Sequence, residues 1–263
     1  MPVLLRCASI ALAATLVGGC GPDVIEWQDP TALPAQLAAG EVAFGPHERP
    51  DLRAQRAVTS PAFPGQCAGS VRVGRDTTGD WYAVWWAARS DSNADVVVSR
   101  SGDGRTWRSP VRVDSLDVGR VGCRRPPPSI AVDGANVHVA YAMAAREGPG
   151  IFASHSMDGG AIFHSPVAVA YGPQFGLASI AARGNIVAVA YEDPNAVPTR
   201  IALAFSRSMG HPFEYHDIVS PPAGDARAPC LALGRGRVAV TWTSGPDSLS
   251  RRIMRVGRFN DRE

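Results

Sequence analysis

The 263-residue chain contains no lysine, and all 26 of its basic residues are arginine. Schiff-base formation and general-base catalysis by lysine are therefore excluded. The chain has no Gly-x-Ser-x-Gly elbow. It also has no phosphate-binding glycine loop, because Gly234-Arg235-Gly236 is typical of a hairpin turn. Its formal net charge is only +2, which gives no reason to expect nucleic acid as a partner.

Catalytic and metal-binding patterns are scarce as well. The few glutamates have no compelling partner, and Tyr191 and Glu192 are adjacent strand residues whose side chains face opposite ways. His138, His155 and His164 are spread over different predicted strands without metal-ligand spacing. We therefore expect no cofactor and no metal, and for these histidines a core or surface role.

The N-terminus carries an export pattern. Residues 8–17 form an apolar run that is too short to span a bilayer. The run ends in Leu16-Val17-Gly18-Gly19-Cys20, which resembles the lipobox of bacterial lipoproteins. That resemblance implies a signal peptide over residues 1–20 and a lipid on Cys20, and Gly21 after it implies the outer membrane of the cell envelope. An ordinary cleaved signal with a stray cysteine is the alternative.

Residues 21–54 contain five prolines without sustained periodicity, so we expect a spacer that holds the domain of residues 55–263 off the membrane. Three cysteines lie beyond Cys20, namely Cys67, Cys123 and Cys230, and three pairings are possible. We favour Cys67–Cys123, because each lies in a connection that leads into a repeat. Cys230 lies within a strand pattern, as a small buried apolar residue would.

A repeat of about fifty residues organises the domain. Ser129-Ile130-Ala131 returns at Ser179 and, more loosely, at Cys230, in steps of 50 and 51 residues. The copy that begins at Ser129 contains four short strand patterns separated by turn residues. Four antiparallel strands in a repeated unit of this length predict the blades of a β-propeller.

Two turns share Ser, Asp, Gly and an aromatic residue. They are Ser101-Gly102-Asp103-Gly104-Arg105-Thr106-Trp107 and Ser156-Met157-Asp158-Gly159-Gly160-Ala161-Ile162-Phe163, and residues 208–213 form a third copy without the Asp. The pattern resembles the Asp-box of the sialidase-like (BNR-repeat) β-propellers. Asp and Ser cap the amides of a tight turn, Gly supplies a positive φ and the aromatic ring anchors the hairpin. We therefore expect structural roles for Ser101, Asp103, Trp107, Ser156, Asp158, Gly160 and Phe163.

The predicted fold is all-β, a small propeller of four antiparallel blades. Three blades cover residues 70–113, 129–170 and 179–219, and the fourth begins at Cys230 but lacks an outer strand. An unpaired edge is unfavourable, so we expect residues 56–60 to close the ring as that strand. A fifth blade from residues 21–66 is the alternative.

The long connections between blades fall on one face, which we call the loop face, and binding residues usually lie on such loops. Arg124, Arg125 and Arg227 lie there, and arginine suits carboxylates. Sialidases use an arginine triad, but the Arg-Ile-Pro motif and a tyrosine–glutamate pair are missing. Solvated arginines, or arginines paired with Asp225, Glu147 or Asp193, are the alternative.

These patterns leave three functions open. The one that we favour is a lipid-anchored, non-catalytic module that binds a glycan or an envelope protein. An exo-α-sialidase-type glycoside hydrolase and an envelope assembly protein are the alternatives.

Overall fold

The computed structural model describes residues 24–34, 61–89, 93–246 and 250–260. In these ranges the chain forms four antiparallel sheets, one short 3-10 helix at Gly122–Arg124 and no α-helix. The prediction of an all-β chain built from four-stranded antiparallel units is confirmed. No helix among these residues is long and apolar enough to cross a membrane.

The sheets follow one another along the chain. Two short strands come first, β1 (Ile25–Trp27) and β2 (Thr31–Ala32). Sheet one contains β3 (Arg72–Arg75), β4 (Trp81–Ala88), β5 (Ala94–Ser101) and β6 (Val111–Arg112). Sheet two contains β7 (Ser129–Asp133), β8 (Asn136–Ala145), β9 (Gly148–Ser156) and β10 (Val167–Tyr171). Sheet three contains β11 (Ala178–Arg183), β12 (Ile186–Glu192), β13 (Ile201–Ser206) and β14 (Tyr215–Ile218). Sheet four contains β15 (Ala226–Gly234), β16 (Arg237–Ser244) and β17 (Arg251–Phe259), with β1 and β2 both paired to β17.

Neighbouring sheets meet chiefly through the first strand of each sheet, which we call its innermost strand. Contacts run from β3 to β7, from β7 to β11 and from β11 to β15. The sheets therefore stand side by side with their first strands adjacent.

The central strands are buried on both faces. In β12, Ala188 and Ala190 pack in the cluster shared with sheet four, whereas Val187 and Val189 pack in the cluster shared with sheet two. A third cluster fills the space between sheets one and two. Because β8 and β12 each have a sheet on either side, their sequences are continuous apolar runs rather than alternations of apolar and polar residues.

The outer edge of sheet four differs from the expectation. Residues 56–60 lie outside the described residues, and the strand at this edge is β1, with Ile25 opposite Phe259. Ile25 is fully buried between sheets three and four, and Trp27 packs against the same cluster. Part of the range expected to be a spacer thus belongs to the sheet, because these two side chains are buried there.

Candidate ligand-binding site

One register position recurs at the same end of all four innermost strands. The cross-strand pairs at this position are Arg72 with Val84, Ser129 with Ala140, Ser179 with Ala190 and Cys230 with Thr241. The sequence repeat identifies the last three directly. In sheet one it points to Ser70, which lies before β3 and accepts a hydrogen bond from the Trp86 amide.

The counterpart in sheet one is Arg72. Ser101 pairs with Trp81 and Ser156 with Val137, so these two pairs mark equivalent places in sheets one and two. Three residues further along the second strand lie Val84 in sheet one and Ala140 in sheet two. Arg72, opposite Val84, is therefore equivalent to Ser129, and no motif in the sequence signals it.

These four residues line a single cavity of about 390 Å³. We call it the channel-mouth cavity and define it by Arg72, Ser129, Ser179 and Cys230. The other lining residues have apolar side chains and include Pro127, Pro128 and Pro229. The cavity opens where the connections between sheets enter the innermost strands, on the loop face.

Hydroxyl groups in the wall tie neighbouring sheets together. The Ile180 amide donates to Ser129 Oγ at 3.1 Å, and the Leu231 amide donates to Ser179 Oγ at 3.1 Å. A hydroxyl that accepts an amide hydrogen bond keeps its own hydrogen as a donor. Both serines are thus held in place, and each hydroxyl group can still donate one hydrogen bond.

Arg72 is the charged residue of the wall. Its Nη1 donates to the carbonyls of Val71 at 2.8 Å and Gly69 at 3.1 Å, which fix the guanidinium at the rim. Burial lowers the pKa of Arg72, but an arginine stays protonated at neutral pH. The residues that line the cavity include no Asp or Glu, and Arg72 is their one charged side chain.

Arg124, Arg125 and Arg227, the candidate binding residues from the sequence, lie in different environments. Arg125 is fully buried, where it pairs with Asp117, donates to Gly119 O at 2.6 Å and lies over the Trp86 ring. Its guanidinium is used within the protein. Arg227 is largely exposed and pairs with Asp225 at 2.5 Å, one of the alternatives left open above. Arg124 is exposed and is not part of the cavity wall.

The Tyr191–Glu192 pair has no catalytic geometry. Burial raises the pKa of Tyr191 to about 12, the opposite of what activates a nucleophile, and its hydroxyl lies 3.5 Å from His216 Nδ1. The Glu192 carboxylate accepts hydrogen bonds from the amides of Leu177 at 2.9 Å and Ala228 at 2.8 Å. Glu192 therefore joins two entry segments of the loop face instead of assisting Tyr191.

Asp103 and Asp158 each hold the backbone of their own turn. Asp103 Oδ1 accepts from the amides of Arg105 and Thr106, and Asp158 Oδ1 accepts from those of Ala161 and Ile162. The same oxygens accept from the Ser101 and Ser156 hydroxyls.

Gly160, Phe163 and Trp107 also hold these turns in place. Gly160 has a φ of +83°, and its amide donates to Ser156 Oγ at 2.9 Å. Phe163 packs against the cluster between sheets one and two, and Trp107 packs against the outer face of sheet one. All of these contacts are internal to the fold.

A disulfide lies beside the channel mouth. Cys67 and Cys123 are joined, with their Cα atoms 5.2 Å apart, and Cys230 is free. The bridge fastens the segment before sheet one to the 3-10 helix before sheet two. In the same region, Trp86 Nε1 donates a hydrogen bond to the Pro126 carbonyl at 2.8 Å. The segment that leads into sheet two is therefore held by this hydrogen bond and by the disulfide. Cys20 lies outside the described residues.

A second cavity, of about 540 Å³, lies at the opposite end of the innermost strands. Hairpin turns form its wall, and Asp133 Oδ2 there accepts a hydrogen bond from the Gly184 amide at 2.6 Å. Its charged residues include Asp133, Arg183 and Arg207, which have both signs.

The histidines are not arranged as the sequence predicts. Candidate ligand atoms of His155, His164 and His211 all lie within 4.8 Å of one another. The expectation that the histidines are spread apart is therefore wrong for His155 and His164. His211 joins them from sheet three, which no spacing in the sequence indicates.

Comparisons with known proteins identify the fold. No family model and no curated protein matches the sequence. A protein of unknown function from Dyadobacter fermentans matches 77% of this chain at 15% identity, with a TM-score of 0.54 and 60% of its own length covered. An α-L-arabinanase from Penicillium chrysogenum, complexed with arabinobiose, matches 72% at 15% identity, with a TM-score of 0.52 and 62% of its length covered.

A Hadza microbial sialidase matches 68% of the chain at 15% identity with a TM-score of 0.48, and 44% of its length is covered. The chain thus spans less than two thirds of these structures. At such identities the first two likenesses show the fold alone, which is β-propeller-like.

Proposed function

We propose that this chain is a non-catalytic, glycan-binding β-propeller whose four sheets are the blades of one ring, closed by β1. The ligand is a glycan with a carboxylate group, seated in the channel-mouth cavity. One observation carries the proposal: the four equivalent positions around the cavity supply a guanidinium, two hydroxyls and a thiol, but no carboxylate.

This set of groups favours binding over hydrolysis. Glycoside hydrolysis usually requires two carboxyl groups, or a tyrosine nucleophile with its base. The residues that line the cavity include neither, and the Glu192 carboxylate behind them is engaged by the Leu177 and Ala228 amides. A guanidinium forms paired hydrogen bonds with a carboxylate, and hydroxyl groups match those of a sugar.

The proposal includes a cellular location. The chain is a lipoprotein of the bacterial envelope, anchored through an acyl chain on Cys20. The Cys67–Cys123 disulfide supports export, because disulfides persist in oxidising compartments. Radiolabelled fatty acid should be incorporated into the expressed full chain and not into the Cys20→Ala variant.

A glycan array carrying uronic-acid, sialic-acid and neutral arabinan oligosaccharides tests the binding function. Acidic glycans should bind, and Arg72→Gln should weaken their binding on the order of tenfold, the typical effect of losing a charged hydrogen bond. Arg124→Gln is the matched control, an exposed arginine outside the cavity wall, and should bind like wild type. Equal loss in both variants, or turnover of a fluorogenic sialoside or arabinofuranoside, would refute the proposal.

A further inference from the structure

Three imidazole rings meet between sheets two and three, away from the channel mouth. His155 is on β9, His164 follows it in the connection to β10, and His211 is in the hairpin between β13 and β14. The ring centroids of His155 and His164 are 4.5 Å apart, and those of His155 and His211 are 4.1 Å apart. The backbone fixes the first pair, because the His164 amide donates to the His155 carbonyl at 2.9 Å.

The buried member of this cluster lacks a protein partner. His155 is 4% exposed, and among the described residues its Nε2 has no hydrogen-bond partner. A buried polar atom without a partner is costly, so the site needs an additional group. His164 and His211 are exposed, which leaves the cluster open to solvent.

We propose that His155, His164 and His211 form a binding site for a divalent transition-metal ion, with Zn²⁺ or Cu²⁺ as the class of ligand. Three imidazole nitrogens suit these ions and not Ca²⁺ or Mg²⁺, which prefer oxygen ligands. The site lies at the hairpin end of the sheets and does not depend on the glycan-binding proposal.

Of the three imidazoles, the buried His155 is held in its neutral form. Burial first, and then the neighbouring His211 and His164, lower the pKa of His155 to about 4. A neutral imidazole has the lone pair that coordinates a metal. Next to it, across β8 and β9, His138 is also buried, and its ring centroid lies 5.7 Å from that of His155.

Coordination of one ion requires the exposed rings to turn, because the His155 and His164 rings are stacked at an interplanar angle of 5°. In a tetrahedral zinc site with Zn–N bonds of about 2.0 Å, the ligand nitrogens are roughly 3.3 Å apart. The present separations of up to 4.8 Å close when the exposed side chains of His164 and His211 rotate. The fourth coordination position then faces solvent, where water completes the shell. The bound ion also joins the outer hairpins of sheets two and three.

Isothermal titration of the tag-free, chelator-treated full chain with ZnCl₂ or CuSO₄ tests the site, with CaCl₂ and MgCl₂ as comparison ions. We expect about one equivalent of Zn²⁺ or Cu²⁺ to bind and the midpoint of thermal unfolding to rise. The EPR spectrum of the Cu²⁺ form should show nitrogen hyperfine coupling. His164→Gln and His211→Gln should each weaken binding on the order of tenfold or more, comparable to other losses at metal sites.

His216→Gln is the matched control, since His216 is exposed and lies outside the cluster. It should bind the metal like wild type. The two test positions are also exposed, so the variants should fold, and equal unfolding midpoints in EDTA check this. The proposal fails if no transition metal binds, or if the His164→Gln/His211→Gln double variant keeps the affinity of the folded wild type.

Discussion

The indole Nε1 of Trp27 donates a hydrogen bond to the Asp217 carboxylate at 2.8 Å. Trp27 belongs to β1 at the edge of sheet four, and Asp217 to β14 at the edge of sheet three, 190 residues away. Two outermost strands are thus joined directly.

Trp27→Phe should lower the free energy of unfolding by about 1.5–3 kcal/mol, because an aromatic ring is kept while the hydrogen bond to the Asp217 carboxylate is lost. Urea denaturation measures the change. If the bond matters, Trp27→Phe should cost clearly less in an Asp217→Ala background, which lacks the acceptor, and a fully additive double variant would contradict the assignment.

Removing the disulfide should destabilise the fold more than Trp27→Phe does. Cys67 and Cys123 are 56 residues apart, and closing a loop of this length stabilises a fold by about 4 kcal/mol in the chain-entropy model. We expect Cys67→Ser/Cys123→Ser to unfold at a clearly lower temperature than wild type, as followed by circular dichroism. Cys230→Ser, which changes the free cysteine, should have a much smaller effect, and similar losses in both would contradict this account.

Gly150 allows β9 and β10 to approach closely. A Cβ atom at this position would collide with the Ala170 carbonyl oxygen. Gly150→Ala should therefore cost about 1–3 kcal/mol, as other overpacked sites do. Gly102→Ala is the control, because its Cβ would meet Asp80 at an ordinary 3.5 Å. Thermal unfolding of the two variants should separate them, and equal midpoints would be the contrary result.

The turn aspartates predict an acid-sensitive contribution to stability. The Ser156 hydroxyl first, and then the Ile162 and Ala161 amides, hold the pKa of Asp158 below its usual value of 3.8. A carboxyl group with a depressed pKa stabilises the fold above the unfolded pKa and loses this effect as the pH falls through the folded pKa. The stability difference between wild type and Asp158→Asn should thus be full at pH 7 and pH 5 and shrink below pH 4.

Urea titrations at these pH values measure that difference. The pKa of Asp103 is lowered too, chiefly by the Thr106 and Arg105 amides, so Asp103→Asn should follow the same curve. A difference that stays constant down to pH 2 would show that the ionised carboxylate is not what caps the turn.

The sheets could be predicted because their pairing repeats with the sequence. Ser129 and Ser179 occupy the same register position, and their neighbours repeat the same apolar run. The edge strand β1 could not be predicted, since three residues carry no useful period and burial against another sheet decides their place. Arg72 was missed for a related reason, as sheet one lacks the repeated Ser-Ile-Ala. The histidine cluster depends on two hairpins from different sheets, a contact that no spacing within one unit encodes.

Under the proposed lipid anchor, the position of β1 limits how far the sheets can lie from a membrane. Only residues 21–24 separate Cys20 from Ile25, a span of at most roughly 17 Å when fully extended. An acyl chain on Cys20 would therefore hold the outer edge of sheet four close to the lipid headgroups. The channel-mouth cavity, on the first strand at the other edge of this sheet, would then lie a sheet's width away from the anchor.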